Sequence, residues 1–322
     1  MLFTGVGSII GSGWLFGSFN ASQQAGPSAI FAWIIGGVMF MIIGIVYAEL
    51  GVMFPVAGGV VRFPQYSHGS FAGYSNGWAS WLAAAAVTPI EVLASVGYAT
   101  PYLPWLMVDK PGGAVLSGAG FGVSVGLMLL YSLINVMGVK AFARFNNVLV
   151  WWKLVMIVLV IVVFFAVTFH PENLTTFGGF APYGESALFA SLPAAGVAFA
   201  YLGFRQGVEF AGETDNPQRN VPFAVIGSIL ITMVIYVALQ IAFITSLPGG
   251  KLQGGWANLG YASDAGPLAG LSMLLGVAWL AYLLYADAII SPADTGLIYA
   301  GVTARLGYAN GRNANAPRGS PR

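Results

Sequence analysis

The chain has 322 residues, 57% of them apolar and 7% charged, with a net charge of +1 and a mean hydropathy of +0.79. Soluble domains carry about 25% charged residues, so this composition excludes an ordinary water-soluble globule, and the lack of any basic run argues against a nucleic-acid partner. There is no cysteine, and the two histidines, His68 and His170, lie far apart in predicted loops; disulfides, thiol nucleophiles, clustered metal ligands and any cofactor built on them are therefore not expected.

An apolar helix of about 20 residues crosses a hydrocarbon core of roughly 30 Å. Such spans are predicted at 2–21, 29–52, 71–100, 114–138, 146–169, 187–210, 221–247 and 266–304. Helix-ending punctuation falls between them: Gly26-Pro27, Pro55 with Gly58-Gly59, Pro101 and Pro104, Gly112-Gly113, Pro182, Pro217 with Pro222, and Gly249-Gly250. The first span has no basic segment before it and no small-residue cleavage site after it, so it is expected to stay in the chain. With a cytoplasmic N-terminus, one side holds Arg62, Lys140, Arg144, Arg205, Arg219, Arg305 and Arg312, and the other only Lys110 and Lys251. That bias fits the excess of positive charge on the inner face.

Within the first span, Gly5, Gly7, Gly11, Ser12 and Gly13 cluster where each glycine costs a helix interior about 1 kcal/mol relative to alanine. Two readings are open: close helix packing through small residues, or a broken helix whose second half presents free N–H groups to a carboxylate at the bilayer midplane. The G-x-G-x-x-x-G spacing and the absence of a preceding strand argue against a dinucleotide site. The sixth span repeats the theme at Gly196 and Gly203 before an abrupt charged stretch from Arg205. Five crossings separate the two interruptions, and an odd number puts the second unit into the membrane upside down.

Three ionisable residues fall inside predicted spans: Glu91, Lys153 and Asp287. A charge there is costly and a functional reading is the default. Lys153 follows Trp151-Trp152 and has snorkelling as its plain alternative. Glu91 is read either as a buried neutral acid or as a substrate or proton group. For Asp287, a local bond near Ser291-Pro292 is the favoured account. No nucleophile, acid/base pair or metal set has usable spacing, so an enzyme is not expected.

The ordered words Gly7-Ser-Ile-Ile-Gly11-Ser12-Gly13, Tyr47-Ala-Glu49-Leu-Gly51 with Pro55-Val-Ala-Gly58-Gly59, Gly138-Val-Lys140, Phe199-Ala200-Tyr201-Leu-Gly203-Phe204, Ala211-Gly212-Glu213 with Asn216-Pro217-Gln218-Arg219-Asn220-Val-Pro222, and Thr295-Gly296-Leu-Ile-Tyr299 with Thr303-Ala304-Arg305 resemble the amino acid–polyamine–organocation permeases. The resemblance implies an all-α integral membrane protein with the LeuT-like five-plus-five inverted repeat. It puts the first repeat at 1–170, an incomplete second repeat at 171–310 and a polar tail at 311–322. It further implies a substrate carboxylate at Gly11, Ser12 and Gly13, and a substrate ammonium at carbonyls around Phe199, Ala200 and Tyr201 with Gly203 beside them. Lys153 falls where many members keep a lysine in place of a sodium ion, serving in proton-coupled transport or as a fixed structural charge, and with Glu91 it is the expected ion- or proton-coupling group. Where most members read Gly-Phe-Glu, this sequence has Gly203-Phe204-Arg205; with Pro89-Ile90-Glu91-Val92 this is similar to the aspartate:proton symporter subgroup, and two readings of Arg205 are open, a contact for an acidic substrate or an ordinary cytoplasmic anchor.

The implied function is proton-coupled amino acid symport across the inner (cytoplasmic) membrane, with amino acid, protons and lipid as partners. Members of the family have about twelve spans, so eight spans and a divergent polar tail are expected of a truncated member. An antiporter or facilitator of the same fold, or an inactive fragment, are the alternatives.

Overall fold

The computed structural model describes residues 1–110, 113–261 and 266–316. The first predicted span is two helices, α1 (Leu2–Ile9) and α2 (Trp14–Ala25), separated by residues 10–13. α3 (Ala29–Met53) ends before Pro55, whose ring disfavours helix at Phe54. α4 (Gly59–His68) occupies the connection to α5 (Ser70–Ala99). A short antiparallel pair, β1 (Met107–Lys110) and β2 (Gly113–Leu116), leads to α6 (Gly118–Val136) and α7 (Val139–Val167). The sixth span is α8 (Gly184–Ala194), a 3-10 segment Phe199–Arg205 and α9 (Gln206–Glu209). α10 (Pro217–Ser246), α11 (Gly249–Leu252), α12 (Pro267–Leu274) and α13 (Ala278–Arg312) complete the described helices.

By length and composition, Trp14–Met53, Ser70–Ala99, Gly118–Val136, Val139–Val167 and Pro217–Ser246 are apolar enough to cross a membrane, and the bent pair of α8 with Phe199–Glu209 makes a sixth. The eighth predicted span falls outside that set. Its residues divide between α12 and α13 at Gly276, which holds φ at +77°, and α13 carries Asp287 and Asp294 within its apolar run.

α1 lies in the middle of the bundle, against α7, α10, α13 and the 3-10 segment, while α13 runs along α5 and α10 along α3. The polarity of the fold is inverted relative to a soluble domain. Ile42, Phe223 and Val234 are about 60% exposed on helix exteriors, whereas Lys153, Gln206, Gln240, Asp287 and Asp294 are fully buried. An apolar shell around a polar interior is stable in lipid, which solvates the shell and cannot satisfy the interior groups.

Two elements differ from the sequence expectation for a local reason. α4, predicted as loop, buries Val60, Val61 and Phe63 but is only ten residues long, too short to register as a span. At the boundary of the tail expected from residue 311, α13 continues through Arg312, Asn313 donates to the Val61 carbonyl, and the Asn315 carbonyl accepts from Trp78 Nε1. Residues 317–322 lie outside the described residues.

Candidate functional site

α1 stops at Ile10 because Gly11 and Gly13 give the backbone freedom without a side chain to hold the helix. A helix end leaves carbonyls without intrahelical partners, and here side chains from three other helices take them. Lys153 Nζ of α7 donates to Gly7 O at 3.1 Å and Ile10 O at 2.5 Å. Thr295 Oγ1 of α13 donates to Gly7 O at 3.1 Å, and the Tyr236 hydroxyl of α10 donates to Ile9 O at 3.2 Å. On the other side of the break, the N–H groups of Ser12, Gly13 and Trp14 make no backbone hydrogen bond among the described residues. They open α2, where the helix dipole favours negative charge.

The second break faces the first. Gly196, at φ +76°, ends α8, and the span turns by 48° into the 3-10 segment. Gly203 of that segment lies against the backbone of Ser8 and Ile9, so close that any Cβ would overlap it. Between the two breaks is a cavity of about 520 Å³, lined by Gly11, Ser12, Gly13, Glu91, Phe199, Ala200, Gly203 and Arg205 together with Trp14, Thr295, Tyr236 and Tyr299.

Most of the residues singled out from the sequence therefore border one space. Tyr201 does not: its side chain turns into the core, its hydroxyl donates to Trp33 O at 2.9 Å, and its ring packs on Trp33, Phe40 and Tyr236. Lys153 is fully buried behind α1 and does not line the cavity. Glu91 meets the hydroxyl and amide of Ser12, while its Oε2 has no hydrogen-bond partner among the described residues. Arg205 is partly exposed at the cavity edge and forms no ion pair among the described residues.

Lys153 has a partner that the sequence pattern does not single out. Asp294 Oδ2 lies 2.9 Å from Nζ, and both side chains are wholly buried. A signal for it was present. Asp287, Ser291, Asp294, Thr295 and Ile298 recur at helical spacing on one face of α13, and all are buried. The local account of Asp287 is also corrected. Its carboxylate accepts tertiary bonds from the buried Trp14 Nε1 at 3.0 Å and the partly buried Trp152 Nε1 at 2.9 Å, which satisfy a carboxylate that is itself fully buried. Ser291 Oγ has no partner among the described residues.

Nearer the end of α13, two of the quoted words meet. Arg305 forms a two-bond pair with Glu213, both contacts at 2.6 Å, and its guanidinium lies 3.9 Å from the Phe210 ring centre. Among the described residues no three acidic or histidine side chains converge on a common metal position.

The family model described as amino acid permease matches residues 1–318. The chain belongs to the amino acid permease family. It is 41% identical over 321 residues to the glutamate/serine transporter AimA of Bacillus subtilis, covering 98% of this chain and 59% of that protein. Identity to the aspartate-proton symporter of the same organism is 40% over 314 residues, with 97% and 59% covered. The methylthioribose transporter of B. subtilis is 29% identical over 263 residues, covering 78% and 55%. The chain thus spans 59% of the length of the two relatives it matches at about 40% identity.

Proposed function

We propose that this permease moves amino acids across the bacterial cytoplasmic membrane by alternating access, coupled to protons, with an acidic amino acid as the favoured substrate. The observation that carries the reading is the pair of facing helix breaks, with the amides of Gly13 and Trp14, which make no backbone hydrogen bond among the described residues, bordering one cavity. Those amides suit the substrate α-carboxylate, and carbonyls of the Phe199 and Ala200 turn suit its ammonium. The Arg205 guanidinium borders the cavity with Glu209 nearby and forms no direct ion pair among the described residues, which suits a side-chain carboxylate. Aspartate or glutamate occurs in the names of both relatives at about 40% identity, which supports the acidic class.

In this reading residues 1–170 form one repeat and 171–310 most of its inverted counterpart, with the N-terminus on the cytoplasmic side. Lys153, tying the α1 break to α7, and Glu91, facing Ser12, belong to the coupling machinery. Lys153 holds the position through which the first half of the broken span is fixed to its neighbours, so a change in its bonding changes how freely that half tilts.

The test is uptake of labelled L-aspartate, L-glutamate and L-serine into proteoliposomes carrying the protein, with and without an imposed inward proton gradient. Accumulation above equilibrium that requires the gradient is the expected result. Counterflow indifferent to the gradient would make the protein an exchanger or facilitator, and no movement of any amino acid would sink the transport reading.

A further inference from the structure

We infer that Asp294 is the group on which the coupling proton rides, and that its ion pair with Lys153 converts that proton into affinity for an anionic substrate at the α1 break. The inference rests on the transport reading above and adds to it a residue, a charge state and an order of events.

The geometry distinguishes the two oxygens of Asp294. Oδ2 receives Lys153 Nζ and sits against Gly7 of α1. Oδ1 is buried and has no hydrogen-bond partner among the described residues. A proton added there breaks no existing bond. The three N–H groups of Lys153 are all committed, to Asp294 Oδ2, Gly7 O and Ile10 O. The only atom transferred is one proton, gained by Asp294 Oδ1 from one side of the membrane and lost to the other.

With Asp294 ionised the pair is neutral. With Asp294 protonated the site carries one uncompensated positive charge, held at Ile10 O, directly before the amides where a substrate carboxylate would sit. In a poorly polarisable interior that charge is unfavourable alone and is offset by an anion nearby. Proton and anionic substrate thus favour each other's binding, and linkage makes the effect mutual: a tenfold gain in substrate affinity on protonation is a tenfold gain in proton affinity on substrate binding. Protonation also weakens the ionic tie between α13 and α7, while the Thr295 hydroxyl bond to Gly7 O still joins α13 to the α1 break.

Other titratable or charged groups surround the pair: Glu91 from α5, Tyr131 from α6, Asp287 and Tyr299 on α13 itself, Tyr236 from α10, and Arg205 with Glu209 beyond Tyr299. The α1 side presents only backbone carbonyls to Lys153. Asp287 is engaged by two indoles and Glu91 by Ser12. Asp294 is the acid in direct contact with the lysine that grips the break.

The experiment compares the parent protein, Asp294→Asn and the neutral double variant Lys153→Met/Asp294→Asn in proteoliposomes. Gradient-driven accumulation, counterflow and the apparent affinity for labelled L-aspartate are measured at pH 5.5 and 7.5, where the parent is expected to gain about tenfold in affinity on acidification. In Asp294→Asn, whose lysine is permanently uncompensated, affinity should differ less than twofold between the two pH values. Accumulation should be lost while measurable counterflow persists. The double variant removes the lone charge left by the single one and should also lose accumulation and pH dependence, and thermal midpoints in detergent report the folding of both variants. Gradient-driven accumulation in either variant, or loss of counterflow in both, overturns the inference. A parent that shows no gradient-driven accumulation sinks the transport reading alone, and binding then decides: a pH-dependent parent with flat variants upholds Asp294, and a flat parent does not.

Discussion

Gly203→Ala is the sharpest probe of whether the two helix breaks work as one site. The Cβ added at Gly203 would overlap the Ser8 carbonyl carbon and the Ile9 amide nitrogen, backbone atoms with no rotamer to relieve the contact. Restoring an ordinary separation of about 3.5 Å requires the α1 end and the 3-10 segment to part by roughly 1 Å, at an overpacking cost of about 1–3 kcal/mol. The same displacement carries the amides of Gly13 and Trp14 away from the Phe199 and Ala200 carbonyls. A misplacement of about 1 Å in a site assembled from two elements costs up to about 100-fold in rate, so initial uptake of labelled aspartate should fall tenfold or more. The matched control is Gly97→Ala in α5, where an added Cβ meets nothing within 4 Å and helix propensity favours alanine by about 0.5–1 kcal/mol. Initial rates in proteoliposomes and thermal midpoints in detergent read both variants. Wild-type uptake and midpoint in Gly203→Ala would refute the close backbone contact and the shared site built on it.

Three further outcomes are expected. Arg205→Gln should raise the apparent KM for aspartate by about tenfold, the worth of a charge-assisted hydrogen bond, and change that for serine less than twofold; equal effects on both would remove Arg205 from side-chain recognition. Asp287→Asn leaves one oxygen for two indole donors, Trp14 and Trp152, and should lower stability by about 1–3 kcal/mol through the orphaned N–H, read as a drop in the thermal midpoint. Glu213→Gln removes the two-bond pair to Arg305 at a site where the side chains are 15% and 26% exposed. The loss should be about 1 kcal/mol or less, diminishing as salt is added, and a midpoint unchanged at low salt would count against the pair.

The breaks in the first and sixth spans were legible because glycine carries its own signal: Gly11, Gly13 and Gly196 stand where an apolar helix gains nothing from them. Side-chain direction was not legible. The word around Phe199, Ala200 and Tyr201 marks a turn, yet only tertiary packing sends the Tyr201 ring toward Trp33 and away from the cavity. Short elements escaped for a different reason. α4 and the β1–β2 pair are too brief for hydropathy to separate from loops and are held by their neighbours, as in the bond from Ser117 N to Leu106 O. Asp294 was within reach, since its heptad relation to Asp287 repeats along one face of α13, but a search for isolated charges passes over a second acid in the same span.

The broken helix and the buried lysine require one another. In an unbroken α1, the Gly7 and Ile10 carbonyls would receive N–H groups from the following turn, and Lys153 would lie among apolar side chains with Asp294 alone to offset it. Ending the helix at Ile10 frees two acceptors at the place where an ammonium group needs them, and the ammonium removes the penalty of leaving those acceptors bare. Replacing the lysine with a neutral side chain therefore strands two carbonyls and a carboxylate together, a penalty of the kind that runs to about 3–5 kcal/mol when one member of a buried pair is lost. The same interdependence makes the site responsive: whatever alters the charge on Asp294 alters the bonding of the lysine that holds both carbonyls of the last turn of α1.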